Sequence, residues 1–139
     1  MSLSPRQVFE RYAYLGAHHD ADAQADLFAP DGVLELPFAP AGVTRRFAGR
    51  EAIREMLHRY HARAAQSPDT VDFAGTRLAW HETTDPGTVI AEIDTRLITP
   101  DGPTELTLVQ IFRVTDGEIV SLRDFWDGTR DFANWFRES

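Results

Sequence analysis

The stretch "TELTLVQIFRVTDGEIVSLRDFWD" (residues 104–127) indicates two β-strands joined by a tight turn. Apolar and polar residues alternate on both sides of "TDG", as they do in half-buried strands. In the second strand, one face carries Val120, Leu122, Asp124 and Trp126, and the other carries Ile119, Ser121, Arg123 and Phe125. The first face is the more uniformly apolar, so we expect it to point inward. The carboxylate of Asp124 would then lie between a leucine and a tryptophan.

The length of the turn decides which residues surround Asp124. A two-residue turn at Asp116–Gly117 would place Asp124 on the face of Val109 and Ile111. A three-residue loop, with Gly117 left-handed, pairs even positions with even positions. We favour the three-residue loop because it gathers the apolar residues on one side. The even face of the first strand consists of Leu106, Leu108, Gln110 and Phe112.

Gln110 and Asp124 would then be neighbours, the two polar groups of an apolar patch. Burial in an apolar site raises the pKa of a carboxyl, by up to about 3–5 units when burial is complete. Asp124 is therefore a candidate proton donor or acceptor near neutral pH. In the alternative interpretation, Asp124 lies at the sheet rim, paired with an arginine or in water.

The rest of the chain predicts three helices that precede or interrupt the strands. Ser4 and Pro5 begin a helix over residues 5–19, Asp20 caps a short second helix, and residues 50–64 form a third. The other predicted strands cover 33–38, 73–82 and 88–99, and a final short helix over 129–136 carries Phe132, Trp135 and Phe136. This order predicts a single α+β domain over 1–139, with helices packed on one face of a curved sheet.

Composition narrows the classes of partner. The chain has 139 residues and a net charge of -8, which argues against nucleic acid or an anionic membrane as a partner. It has no cysteine and no long apolar segment, so a cytoplasmic protein without thiolate chemistry is expected. The histidines lack a third ligand at suitable spacing, and we expect no metal site and no cofactor.

Three segments resemble the nuclear-transport-factor-2-like superfamily: "ERYAYLGAHHDADAQADLFAPDGVLELPF", "GREAIREML" and "LVQIFRVTDGEIVSLRDFWD". That superfamily includes ketosteroid isomerase, limonene epoxide hydrolase and the SnoaL-like polyketide cyclases. The resemblance implies a cone-shaped cystatin-like α+β barrel, in which a strongly bent antiparallel sheet wraps around N-terminal helices and leaves a pocket at one end. It also implies a homodimer, and the outer sheet face with Val109, Ile111, Ile119 and Phe125 is the expected interface.

Only some of the active-site residues of these enzymes have a counterpart in this sequence. Tyr12 and Gln110 fall where ketosteroid isomerase has its oxyanion-hole tyrosine and protonated aspartate. The general base of that enzyme would fall at Leu36, which cannot take a proton, so ketosteroid isomerisation by that mechanism is not expected.

Asp124 matches an acidic residue that activates water in limonene epoxide hydrolase. The polar partners of that residue would align near Leu34 and Leu36 and are missing here. Asp94 could match the hydrolase's second aspartate, but the strand pattern turns Asp94 outward unless a bulge intervenes. The better inward face is Ala91, Ile93, Thr95 and Leu97.

The resulting hypothesis is a site of Asp124, Tyr12 and Gln110 within an apolar wall, with His19 able to reach the rim. The candidate lining residues are Leu36, Phe38, Met56, Leu108, Leu122 and Trp126, and each of them could instead be ordinary core. Such a site suits cofactor-free acid–base chemistry on a small hydrophobic, oxygenated molecule, of the cyclase, isomerase, dehydratase or epoxide hydrolase type. The alternatives are a ligand-binding dimer without catalysis and an accessory scaffold.

Overall fold

The computed structural model describes residues 2–126, so the predicted helix over 129–136 lies outside the described residues. The helices are α1 (Pro5–Ala17), α2 (Ala21–Ala25) and α3 (Arg50–Ala64). The strands are β1 (Phe28–Glu35), β2 (Arg46–Ala48), β3 (Thr70–Glu82), β4 (Thr88–Thr99), β5 (Gly102–Thr115) and β6 (Glu118–Trp126). The expected α+β architecture is confirmed. Within residues 2–126, no helix is both long and apolar enough to cross a membrane.

Helix α1 begins with a capping box, in which the Ser4 hydroxyl accepts a hydrogen bond from the Gln7 backbone N–H and the Gln7 side chain accepts one from the Ser4 N–H. Its buried stripe is Val8, Phe9 and Tyr12. The helix ends at Ala17, earlier than predicted, because His19 adopts a left-handed backbone conformation with φ 55°.

The sheet is mixed, in the order β2-β1-β6-β5-β4-β3. All neighbouring strands are antiparallel except β1 and β6, which run parallel with Leu34 opposite Leu122. The prediction of an entirely antiparallel sheet is therefore wrong. The predicted barrel is also not closed, because β2 and β3 remain as the two edges of a curved sheet.

The β5–β6 hairpin turns through two residues, Asp116 (φ 52°) and Gly117 (φ 78°), so the predicted three-residue loop is wrong. Two consecutive left-handed residues are the signature of a type I′ turn. A register shift follows, because Val114 pairs with Ile119 whereas Arg113 pairs with Ser121. The extra residue in between, Val120, is a β-bulge.

This bulge restores the pairing that the three-residue loop would have produced. Gln110 lies opposite Asp124, as predicted, and Leu108 lies opposite Trp126. The bulge also reverses one detail of the predicted faces, because Ile119 is fully buried and Val120 is only partly so.

The helices pack on the inner face of the sheet around an aromatic cluster. Phe9 of α1 contacts Trp80 and Phe112, with ring centroids 5.1 and 5.6 Å away, and Tyr12 contacts Phe28 and Phe112 edge to face. This cluster packs α1 against β1, β3 and β5.

Candidate functional site

A large cavity lies between the inner face of the sheet and helices α1 and α3, with a volume of about 1120 Å³. Its wall is mainly apolar, and a few polar side chains converge on it. This composition is typical of sites that bind small organic molecules.

Asp124 is part of the cavity wall, on β6. The Gln110 amide nitrogen donates a hydrogen bond to Asp124 Oδ2 over 3.3 Å, and Oδ1 is buried without a hydrogen-bond partner among residues 2–126. Burial raises the pKa of Asp124 to about 7, although the Gln110 hydrogen bond opposes the shift. The alternative of a rim carboxylate paired with an arginine is therefore wrong.

Two tyrosines line the cavity near Asp124: Tyr12, which is buried, and Tyr60, which is partly buried. Burial raises the pKa of Tyr12 far above its ordinary value and that of Tyr60 to about 12, and the nearby charge of Asp124 adds to both shifts. Both phenols therefore stay protonated near neutral pH and remain hydrogen-bond donors. Tyr12 was expected in the site from the sequence, and Tyr60 was not among the residues expected there.

Four of the six predicted lining residues are in the cavity wall: Leu36, Met56, Leu108 and Trp126. Phe38 is not, since it is 62% exposed and packs against Phe125 with ring centroids 5.1 Å apart. Strand β1 ends at Glu35, so the alternation that would have turned Phe38 inward does not continue. Leu122 is fully buried in the core opposite Phe112 and does not reach the cavity.

Asp94 lies outside the cavity, as the alternation of β4 predicts. Its carboxylate pairs with Arg77 at 3.4 Å and accepts a hydrogen bond from the Thr107 hydroxyl at 3.0 Å. Ile93, Thr95 and Leu97 line the cavity from the opposite face of the strand.

A second polar group, which the sequence analysis missed, lies elsewhere in the same wall. His61 on α3 is buried between His19, with the two Nδ1 atoms 2.9 Å apart, and Gln24, whose Oε1 is 2.6 Å from His61 Nε2. Burial, together with the nearby His19 and His58, lowers the pKa of His61 to about 4. His61 continues the spacing of Ile53 and Leu57, which could have marked it as inward-facing.

His19, which the sequence left able to reach the rim, lines the cavity. Residues 2–126 contain no group of three or more histidine, aspartate or glutamate side chains placed to hold a metal ion.

Comparison with known proteins adds a family match and a set of similar folds. A model of the SnoaL-like domain family matches residues 8–122. An uncharacterised PhzA/B-like protein of Pseudomonas aeruginosa is 38% identical over 130 residues, which is 92% of this chain and 87% of the relative.

Two solved structures illustrate the similarity in fold. A protein of Pseudomonas putida provisionally named a polyketide cyclase has a TM-score of 0.69 at 12% identity, covering 97% of this chain and 99% of its own. The epoxide hydrolase/cyclase-like enzyme SalBIII, studied for its role in pyran ring formation in the polyether salinomycin, has a TM-score of 0.63 at 21% identity. The match covers 90% of this chain and 92% of SalBIII. At these identities the likeness shows the fold alone.

Proposed function

The chain belongs to the SnoaL-like domain family, and from that premise we propose that it binds a small hydrophobic, oxygenated molecule in its cavity and transfers a proton through Asp124. The observation that carries the proposal is a carboxyl group with a pKa of about 7 in the wall of a largely apolar cavity. Both protonation states are populated at neutral pH, as general acid–base catalysis requires.

The residues around Asp124 divide the chemistry between them. Asp124 exchanges a proton with the ligand through its carboxyl group, whose Oδ2 receives the Gln110 hydrogen bond and whose Oδ1 is buried without a hydrogen-bond partner among residues 2–126. The Tyr12 hydroxyl and the second N–H of the Gln110 amide are donors for a ligand oxygen that becomes negative as its neighbouring carbon loses a proton. This division suits an isomerisation, cyclisation, dehydration or epoxide opening that needs no cofactor.

A second candidate function is ligand binding without catalysis. Leu34, in β1 beside β6, and Leu36, which follows β1, are both buried and line the cavity. That part of the wall therefore supplies no second acid or base. A binding protein would need none.

Hydrogen–deuterium exchange of 2-tetralone in D₂O separates the two candidates. This apolar bicyclic ketone has acidic C–H bonds beside its carbonyl group. Asp124 would take a proton from carbon, Tyr12 and Gln110 would stabilise the enolate oxygen, and a deuteron would return to the same carbon. We expect the protein to accelerate exchange and Asp124→Asn to slow it at least hundredfold. The matched control, Asp94→Asn, changes a carboxylate on the outer face and should leave the rate unchanged.

Each other result has a definite meaning. Binding of 2-tetralone without exchange above the buffer rate would support the non-catalytic function. Failure of the ketone to bind at millimolar concentration would contradict both functions. Equal exchange by the wild type and Asp124→Asn would remove Asp124 from the mechanism.

A further inference from the structure

Gln24, His61 and His19 form a chain of hydrogen bonds in which each donor and each acceptor can be assigned. The Gln24 side-chain nitrogen donates to the Tyr12 carbonyl oxygen over 3.0 Å. A carbonyl oxygen can only accept, so this bond fixes the orientation of the amide and turns Oε1 towards His61. Oε1 in turn can only accept, so Nε2 of His61 carries a hydrogen.

The donor and the acceptor can also be assigned in the hydrogen bond between His61 and His19. His61 is neutral at pH 7, because its pKa is lowered to about 4, and a neutral imidazole carries one hydrogen. With that hydrogen on Nε2, the Nδ1 of His61 is an acceptor. Nδ1 of His19, 2.9 Å away, must donate to it. In neutral His19, Nε2 is then left as a bare acceptor.

The backbone presents this ring at the mouth of the cavity. His19 is exposed and lines the cavity, as do the exposed residues Phe73 and Leu78, so its ring lies where the cavity meets solvent. It has a φ of 55°, a conformation that is uncommon for residues other than glycine. Tyr12 lies seven residues earlier, about two helical turns away along α1. The cavity therefore has polar groups at two separate places.

We propose that His19 Nε2 is a second ligand contact, fixed as a hydrogen-bond acceptor by His61 and Gln24, and that the ligand presents a hydroxyl group to it. This inference rests on the proposed function and adds a substrate class: an apolar molecule with an oxygen for the Asp124 end and a hydroxyl for the mouth. His61 and Gln24 are positioning residues, because they act through His19.

Protonation of His19 leaves this chain intact. The Nδ1 hydrogen of His19 points to His61 in both states, and only Nε2 changes from acceptor to donor. The other titratable groups near the pair are His58 and Tyr60 on α3 and Asp20 beside His19. His58 is paired with Asp22 at 2.9 Å.

The hydrogen positions can be measured without any ligand. Long-range ¹H–¹⁵N correlation spectra of the ¹⁵N-labelled protein at pH 7.5 report which imidazole nitrogen carries the hydrogen. We expect hydrogen on Nε2 of His61 and on Nδ1 of His19, and we expect Gln24→Leu to mix the tautomers of both rings. Hydrogen on Nε2 of neutral His19 in the wild type would overturn the proposal.

Ligand discrimination tests the contact itself. The probes are 4-(4-hydroxyphenyl)butan-2-one and its methyl ether, which differ only in the hydroxyl hydrogen and its methyl replacement. We expect the wild type to bind the phenol about five- to tenfold more tightly, as one hydrogen bond implies. His19→Gly fits the left-handed backbone and should bind both probes equally.

His18→Ala is the matched control, because the His18 side chain bonds to the Tyr14 carbonyl oxygen outside the cavity. It should keep the wild-type discrimination. Equal binding of the two probes by the wild type, unchanged discrimination in His19→Gly, or no binding of either probe at millimolar concentration would each overturn the contact. If 2-tetralone exchange still depends on Asp124 in that case, the proposed function stands without this inference.

Discussion

The surroundings of Asp124 differ from those of a carboxylate on the outer face of the sheet. Asp94, on the outer face of β4, has a cation and a hydroxyl as partners, whereas Asp124 has one amide at 3.3 Å and an apolar wall. Desolvation therefore exceeds hydrogen bonding in the balance that sets its pKa. Removal of either contribution should therefore change the pKa of Asp124.

Gln110→Leu tests this balance at the residue scale. Loss of the amide removes the one hydrogen bond that stabilises the ionised form, so we expect the pKa of Asp124 to rise above about 7. Carboxyl ¹³C shifts followed against pH measure the change. Thr95→Val, a substitution elsewhere in the cavity wall, should leave the pKa in place. A fall in the pKa of Asp124 in Gln110→Leu would contradict the balance.

The β5–β6 hairpin is the element that brings Asp124 and Gln110 together. Its two-residue turn alone would place Asp124 opposite Val109, and the bulge at Val120 moves it opposite Gln110. The site therefore depends on backbone geometry some distance from the reactive group. Gly117 is the sensitive position in that geometry, because it combines φ 78° with close neighbours.

Gly117→Ala should destabilise the protein by about 1–2 kcal/mol. Alanine there would have to keep the left-handed backbone conformation. Its Cβ would lie 3.0 Å from the Leu3 backbone nitrogen and 3.1 Å from Ser2 Cβ. Asp116→Asn should be nearly neutral, because asparagine suits the first position of a type I′ turn. Urea unfolding measures both variants. Equal stability of Gly117→Ala and the wild type would show that the turn does not constrain the hairpin.

The sequence predicts regular elements well where the pattern is long. The bounds of α3 and β4 agree with the structure, because an apolar stripe and a twelve-residue alternation specify them locally. Strand β2 has three residues and lies outside every predicted element, since so short a run has no period. The parallel pairing of β1 with β6 joins distant parts of the chain and has no local signal.

The site residues likewise fall into those that a local sequence pattern identifies and those that it does not. Asp124 and Gln110 are found from alternation, because a polar residue on an apolar face stands out. Phe38 was placed wrongly because the strand ends before it, at Glu35. Gln24 and His61 form their hydrogen bonds across 37 residues of sequence, so neither has a local signal of its partner.

At the scale of the whole molecule, two buried groups oppose each other in the pH dependence of stability. Asp124 has a folded-state pKa of about 7, raised from 3.8. The stability it provides is complete below pH 4 and is lost as the pH rises towards 7. His61 has a folded-state pKa of about 4, lowered from 6.5. The stability it provides is complete above pH 6.5 and is lost as the pH falls towards 4.

Asp124→Asn removes the contribution of Asp124 to the pH dependence of stability and leaves that of His61. Its free energy of unfolding should match that of the wild type near pH 4, apart from a constant offset, and exceed it increasingly up to about pH 7. The added difference should be of the order of 2–4 kcal/mol, from about 1.4 kcal/mol per unit of pKa. Urea unfolding at a series of pH values measures it. A pH-independent difference for Asp124→Asn would contradict the elevated pKa.

We also propose that the chain forms a homodimer through the outer face of the sheet. Val109, Ile111 and Phe125 lie on that face, and Phe38 stands exposed beside them. The described helices pack on the opposite, inner face, and an apolar patch of this kind is typical of an interface. Ile119, which was expected in the same patch, is fully buried and does not contribute.

Ile111→Lys should convert the dimer to a monomer, because an unpaired charge in the interface would lose its hydration. Sedimentation velocity measures the mass of the species. Pro103→Lys places the same charge on the same face of β5, away from the patch, and should remain dimeric. A wild-type protein that sediments as a monomer would contradict the proposed interface.

The central claim, that Asp124 exchanges protons from within an apolar cavity, is tested most directly by its own titration. The carboxyl ¹³C resonance of Asp124, assigned by its absence in Asp124→Asn, would be followed from pH 3 to pH 9. The structure predicts a midpoint near pH 7. A midpoint near 4, the ordinary value for an exposed aspartate, would contradict the claim.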